Sequence, residues 1–457
     1  MKDLVVVPIL KKATPGRFQI SQKDTARLAD SSGIFDAMTS LQMLPGVGSN
    51  GGLDATMYIR GGEGYQLVSF LDKTPIYRPY FWGGGVSLFN SRLVKTVDFF
   101  PGGFGVEYGQ SLSGIIDVKL RDGDMYQPHS ELDISSLEAN YFNSVPIEEG
   151  KSALWIDYRR TFYDLLAPFY INSEQPVQMP FLQTLQIKYS AQPNARNKLW
   201  LDLAYFNDGM KVPADMLADN GNSSGYSNYN IQRLLAGFGW ETVISTQLQN
   251  ALLLSFGQDE GGYFRGGEYR NEEKFSLKPM TLSSDLTYIM NRAHVLKLGF
   301  NWHQEKYQEE VAGNDINYGA IVSAYQAKIA LSAFYLEDNW QISDKYRLTS
   351  GLRLDNSAIG DHPGSSILQP RISLISDLAD QTRLRVYAGK YVQSVFLADR
   401  DLNGNYSLAD LKPETAVHYG LGLEKYLARD VLLKAEVFYK EYRSLAYGSW
   451  AGLAYVN

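Results

Sequence analysis

His294-Val295-Leu296-Lys297-Leu298-Gly299-Phe300-Asn301-Trp302-His303 alternates in character from one residue to the next. Successive side chains of an extended strand point to opposite sides, so Leu296, Leu298, Phe300 and Trp302 share one face and Lys297, Asn301 and His303 the other. The same period returns in Arg383–Tyr391, where Leu384, Val386 and Ala388 oppose Arg383, Arg385 and Tyr387. It returns again in Leu432–Lys440, where Leu433, Ala435, Val437 and Tyr439 oppose Lys434, Glu436 and Lys440. Alternation alone establishes one apolar face, which a soluble sandwich would also present.

The joins decide between the two. Strands are expected at roughly 129–136, 137–147, 151–163, 181–191, 197–207, 228–243, 247–259, 275–290, 293–307, 326–342, 345–356, 366–378, 382–393, 412–427 and 430–446. Short joins such as Gln192–Arg196, Asn291-Arg292, Ser343-Asp344 and Ala428-Arg429 alternate with long ones at 164–180, 208–227, 260–274, 308–325, 357–365 and 394–411. One hairpin, near Ser135-Ser136, is short where this parity calls for a long loop. Short turns on one side and long loops on the other are the topology of a transmembrane antiparallel β-barrel, and a Greek-key sandwich has no reason to keep such parity. About fifteen strands are expected, the last running toward the long-loop side. A closed antiparallel barrel needs an even number, because an open edge in lipid leaves backbone groups unpaired, so the sequence is expected to be incomplete at its C-terminus.

Composition agrees with this. The chain has 457 residues, 13% of them aromatic, with Tyr 31 the outlier, as suits the aromatic girdles of an outer-membrane barrel. Cys 0 excludes disulfides, thiolate metal sites and a cysteine nucleophile. The net charge of −7 argues against nucleic acid as a partner. No run of about 18 uncharged apolar residues suggests a transmembrane helix. Met1–Pro8 is too short for a secretory signal, so an exported protein would begin upstream of this chain.

Residues 1–125 differ from the rest. Gly51-Gly52, Gly61-Gly62, Gly83-Gly84-Gly85 and Gly102-Gly103 punctuate short strands and one helix expected around Ile34–Leu41, which reads as a compact α+β domain. Within it stand Leu44-Pro45-Gly46-Val47, Tyr58-Ile59-Arg60-Gly61-Gly62, Phe70–Ile76, Ser87-Leu88-Phe89-Asn90, Val94–Asp98, Gly102-Gly103-Phe104, Glu107-Tyr108-Gly109 and Leu112–Val118. In this order and spacing they resemble the plug domain of TonB-dependent outer-membrane receptors. Glu337-Asp338-Asn339-Trp340, Gly351-Leu352-Arg353, Pro370-Arg371-Ile372 and Leu411-Lys412-Pro413-Glu414 resemble segments of the family's barrel.

The resemblance implies a membrane all-β fold: a 22-stranded barrel, of which residues 126–457 hold about fifteen strands, with the α+β plug of residues 1–125 in its lumen. About seven strands are then missing, and Asn457 lacks the aromatic character of the family's closing residue. It implies a location in the outer membrane of a Gram-negative bacterium, against outer-membrane lipid. The implied function is active import of a scarce nutrient: a ferric siderophore, a cobalamin-like cofactor or an oligosaccharide. TonB and its proton-driven inner-membrane complex would supply the force. A recognition receptor that binds without transporting is the alternative, and a passive channel is disfavoured by the plug.

Several residues acquire expected roles. Asp3, Leu4, Val5, Val6 and Val7 resemble the TonB box, which binds TonB by strand addition, although a first plug strand would read the same way. Arg60 matches the arginine that family plugs pair with barrel carboxylates, a latch that holds only while both partners stay. It could instead satisfy neighbouring plug carbonyls. The family's second Arg-Gly is replaced here by Pro101-Gly102, which puts a double latch in question. Tyr77, Arg78, Tyr80, Phe81 and Trp82 lie where the plug reaches its outward apex and suit stacking on a sugar, an aromatic ring or a ferric chelate, or else packing against the wall. Asp399–Asp410 follows the calcium-loop pattern with Gly404 at position six, but it ends in Asp rather than the bidentate Glu and lies between strands. The five histidines show no metal spacing, no phosphate loop is present and Ser113 lacks a nucleophile elbow. Neither a catalytic residue nor a cofactor is expected, and the chain does not read as an enzyme.

Overall fold

The computed structural model describes residues 17–21, 36–49, 54–76, 78–166, 178–213, 226–266, 271–315, 319–359, 364–379, 381–394, 412–428, 431–445, 447–448 and 455–456. The expected TonB box, Tyr77 and the calcium-like loop lie outside these residues.

The N-terminal part holds nine short strands: β1 (Phe18–Ser21), β2 (Val47–Gly48), β3 (Tyr58–Ile59), β4 (Leu67–Leu71), β5 (Thr74–Ile76), β6 (Tyr80–Phe81), β7 (Val86–Ser87), β8 (Val94–Phe100) and β9 (Gly114–Leu120). Five of them form a mixed sheet in the order β1-β8-β9-β4-β5, in which β4 and β9 run parallel. Its central strand β9, Gly-Ile-Ile-Asp-Val-Lys-Leu, is apolar on both faces because both are covered. The expected helix is present but shorter, at Met38–Gln42, starting about one turn later than Ile34. Asp36 anchors it, accepting from the Met38 amide at 2.8 Å and from the Ser87 amide at 2.7 Å.

The rest is one fifteen-stranded antiparallel sheet in strictly sequential order. Its strands are β10 (His129–Ile134), β11 (Glu138–Glu148), β12 (Ser152–Thr161), β13 (Gln178–Asn194), β14 (Asn197–Pro213), β15 (Tyr226–Val243), β16 (Leu248–Arg265), β17 (Asn271–Ile289), β18 (His294–Asp315), β19 (Gly319–Gln341), β20 (Tyr346–Ile359), β21 (Ser366–Ala379), β22 (Thr382–Gln393), β23 (Glu414–Ala428) and β24 (Val431–Arg443). A small hairpin of β25 (Tyr447–Gly448) and β26 (Tyr455–Val456) follows. Each expected strand has its counterpart, and the tight β10–β11 turn is closed by the Ser135 amide donating to Glu138 O at 2.9 Å.

The long joins are corrected. Residues 308–325 and 260–274 are mostly strand: β18 and β19 pair from Asp315↔Gly319 downward, and β16 and β17 from Arg265↔Asn271. The apolar alternation that marks a strand stops where both faces of the wall are wet, while the backbone ladder continues.

The burial is inside-out. On β19 Phe334 is 61% exposed while Glu337 is only 4% exposed. On β18 Leu298 faces outward, and Val295, His303, Glu305, Tyr307 and Glu309 are buried inward. Charged residues turned inward and Leu, Phe and Val turned outward are what a bilayer imposes on a β-wall. Trp240, Trp340 and Tyr346 are outward and exposed near the short turns, forming an aromatic girdle there. The N-terminal sheet lies against the lumenal face of this wall, and Phe81, Phe89, Phe99, Trp155, Leu182 and Phe206 share one core across the boundary.

Candidate functional site: the plug–wall interface

Arg60 follows β3 in a tight turn, with φ at 54° and its amide donating to Gly46 O at 2.9 Å. That left-handed conformation aims its side chain at the wall. Its guanidinium meets Glu436 of β24 through both carboxylate oxygens, Nη1 to Oε1 at 2.9 Å and Nη2 to Oε2 at 2.7 Å. Nη1 also donates to the Tyr387 hydroxyl at 2.8 Å, and the Phe438 ring lies 4.6 Å from the guanidinium carbon. Two parallel charge-assisted bonds in a nearly dry site form the strong, directional kind of ion pair. Glu436 lies five residues into β24 from its short-turn end, near the middle of the 13-residue strand.

Where the family's second Arg-Gly is absent, Gly103 turns at φ 65° and the Tyr387 ring stands against it. A Cβ there would come 2.8 Å from ring carbons, so only glycine fits without displacing the tyrosine.

Two barrel arginines go unassigned in a reading of the sequence. Arg353 on β20 donates through Nη1 to Val106 O at 2.9 Å and is held by Asp355 at 2.6 Å. Arg371 on β21 donates to Tyr108 O at 2.7 Å and to Gly105 O, with the Tyr391 ring 4.4 Å away. Together they clamp the carbonyls of the plug loop 104–108. Both stand in segments that carry the family resemblance, Gly351-Leu352-Arg353 and Pro370-Arg371-Ile372. A cation on the inward phase of an alternating strand, beside a glycine or proline, was the available signal. Further along the wall His418 contacts Leu112 O at 2.8 Å and Lys440 donates to Ser113 O at 2.7 Å.

A second ion cluster holds the opposite side with the charges reversed. Lys188 of β13, nearly fully buried, donates to Asp72 of the plug at 2.7 Å. Lys198 of β14 reaches Asp122 at 3.0 Å, and Lys95 reaches it at 3.1 Å. Burial pushes the Asp122 carboxyl up, but Lys198, Lys188 and Lys95 outweigh it and hold the pKa at about 2. Glu107 is also held below the usual range: burial raises it, and Lys297, its own backbone hydrogen bond and Lys73 more than compensate.

At the long-loop end the structure separates the expected apex residues. Phe81 is fully buried against Phe206, ring centroids 6.1 Å apart, so it packs the plug onto the wall and offers no face to a ligand. The sequence left ligand contact and wall packing open for these residues, and Phe81 takes the second. The cause is the β6–β7 hairpin, which turns Phe81 inward. Tyr80 is half-buried, with its hydroxyl enclosed. Trp82 donates its indole N–H to Phe181 O at 2.9 Å and its amide to Asp208 at 2.8 Å, and its ring meets Tyr163 edge-on at 5.8 Å. The Arg78 guanidinium lies 4.8 Å from the Phe275 ring centroid. Around them Tyr229, Tyr263 and Phe275 stack in a row, with centroids 5.9 and 6.4 Å apart. Arg78 and Trp82 therefore adjoin an aromatic ledge below the long-loop rim. Among the described residues no three His, Asp or Glu side chains converge as a metal site.

A lipid-facing strand wall around a mixed plug, tied by buried ion pairs, defines a plugged outer-membrane barrel. Residues 136–455 match the family described as "TonB dependent receptor-like, beta-barrel", and the chain belongs to the TonB-dependent receptors. No curated protein matches it. Among solved structures it is similar to the siderophore receptor PirA from Acinetobacter baumannii, at 15% identity and a TM-score of 0.71, covering 95% of this chain and 71% of that one. It is similar also to the ferric enterobactin receptor PfeA from Pseudomonas aeruginosa (16%, TM-score 0.70, 95% and 73%). The ferric yersiniabactin uptake receptor FyuA from Yersinia pestis compares likewise (14%, TM-score 0.70, 94% and 72%). At these identities the likeness is one of fold.

Proposed function

We propose that the chain imports a scarce nutrient across the outer membrane of a Gram-negative bacterium, residues 1–125 serving as the plug and 126–457 as barrel wall. The observation that carries this reading is the bidentate Arg60–Glu436 pair. Such a pair holds the plug at rest, yet loses most of its strength once one partner is displaced, because its energy depends on geometry and dryness. A passive pore has no use for it. In this reading TonB engages Asp3, Leu4, Val5, Val6 and Val7 by strand addition and pulls with force from the inner-membrane proton gradient. Arg78 and Trp82, with Tyr77 and Tyr80 beside them, bind the ligand from the long-loop side. The ligand class is a ferric siderophore, a cobalamin-like cofactor or an oligosaccharide, each with ring or planar surfaces that aromatics and a guanidinium stack upon.

Growth rescue tests this. The receptor is expressed in a strain lacking its own outer-membrane receptors, with and without TonB, across those three ligand classes. Rescue that requires TonB supports import and names the class. Ligand binding without rescue sinks import and leaves a recognition receptor. Pro at Leu4 or Val6 is expected to abolish rescue while ligand binding persists, because proline removes a backbone donor from the added strand.

A further inference from the structure

We infer that the cargo's passage runs along the lumenal faces of β17, β18 and β19, through an internal cavity between these strands and the β4–β5 face of the plug. The inference rests on the import reading above and adds its route. The cavity measures about 100 Å³. Its plug side includes Phe70, Lys73 and Glu107, and its wall side includes Thr281, Ser283 and Ala333.

Three observations converge on this sector. The cavity lies beneath the aromatic ledge: Leu331 lines it and also belongs to the apolar cluster of Phe275, Leu277, Tyr307 and Ile329 on which Trp82 packs. A ligand leaving Arg78 would need to part only that layer to enter. Downward, the cavity reaches Asp285, four residues above the end of β17 and close to the short-turn side. Most ties between plug and wall flank it. Within the sector Lys297 of β18 reaches Glu107 at 3.3 Å and Glu337 of β19 accepts from the Val106 amide at 3.4 Å. Both lie toward the short-turn end, where they close the exit at rest. Asn90 to Asn140, Lys188 to Asp72 and Lys198 to Asp122 fasten the plug on one side. Arg353, Arg371, His418, Lys440 and Arg60 fasten it on the other.

The cavity's walls also suit transit. Thr281, Ser283 and Ala333 are small, and Lys73 keeps 40% of its side chain accessible although it sits inside the barrel. Its nearest carboxylate contact, Asp117, is at 3.9 Å. Charges of both signs and hydroxyls line the space, so it can hydrogen-bond a polar solute without gripping it.

The test exploits the absence of cysteine (Cys 0), since a single introduced thiol then reports its own accessibility. Ser283→Cys places a thiol in the cavity. Thr184→Cys places one on the lumenal face of β13, at the fastened side. Cells receive the ligand that rescues growth and are exposed to a trimethylammonium thiol reagent, with and without the proton gradient. Energised cells are expected to modify S283C roughly ten-fold faster, as for a site exposed only by opening, with T184C unchanged. Ala333→Trp is expected to abolish uptake while ligand binding stays intact. Unimpaired uptake through A333W, or energised exposure of T184C in place of S283C, overturns the route. Absence of TonB-dependent uptake by the unsubstituted receptor is a separate result, which removes the import reading and the route with it.

Discussion

At the residue scale, one ion pair carries the sharpest expectation. Arg60 is nearly dry and its partner Glu436 is mostly so, at 3% and 21% side-chain exposure. Removing one member strands the other's charge away from water, which costs about 3–5 kcal/mol. Arg60→Ala and Glu436→Gln are therefore each expected to lower the urea midpoint at which the plug becomes accessible to protease. The double variant should fall short of the sum, because the second change removes a charge already stranded. Unchanged midpoints in both single variants would show that the pair does not hold the plug. Arg60 was legible because a short motif fixes its place in the turn. Glu436 was not, for its strand carries several inward polar positions and the sequence cannot say which faces the turn. Arg353 and Arg371 were hidden for the same reason: alternation marks them as inward, but only the folded plug supplies the carbonyls they bind.

At the element scale, the period-2 pattern predicts the wall as far as the membrane reaches and then falls silent. β18 reads as a strand up to Tyr307 because Leu296, Leu298, Phe300 and Trp302 face lipid, and beyond that Gln304, Lys306, Gln308 and Glu310 face outward instead. The plug strands were less legible, since those of two or three residues leave no room for a period. Phe81 illustrates the limit: an aromatic in a glycine-flanked apex can serve ligand or core, and the β6–β7 hairpin decides for core. The segment linking plug to wall carries a pH expectation. Asp122 titrates at about 2 when docked, against about 3.9 in an unfolded chain. A depressed carboxyl contributes stability above its unfolded value and loses it as pH falls through the docked one. The difference in plug-release midpoint between the unsubstituted protein and Asp122→Asn should thus be full above pH about 4 and shrink toward pH about 2. A difference that stays constant across that range would show that the lysine cluster does not hold the carboxylate in its charged form.

At the scale of the whole molecule, the inside-out distribution of polarity is itself testable. Phe334 stands outward in a band with Leu298, Leu336, Leu352 and Leu354. Arginine at such a position costs about 2–4 kcal/mol at the bilayer midplane. Phe334→Arg should lower folding stability in lipid vesicles by that order, whereas Lys306→Arg, above the band, should leave it unchanged. Equal effects at the two positions would place the membrane elsewhere on the wall. The parity of short and long joins carries this architecture in the sequence, although two of the long joins, 260–274 and 308–325, are mostly strand: the apolar period ends there with the membrane while the ladder continues.

The length of β18 and β19, 22 and 23 residues, has a consequence of its own. An apolar band needs only about ten residues of tilted strand. At about 3.3 Å per residue and a tilt of about 45°, the stretch from Trp302 to Asp315 lifts its rim roughly 30 Å above that band. That side of the mouth is thus a raised wall, far longer than β20 and β21 at 14 residues each, and the stacking ledge sits partway up it, with Phe275 paired opposite Glu309. A bulky body that settles on that lip is held clear of the rings, and only a solute slim enough to descend along the wall reaches them.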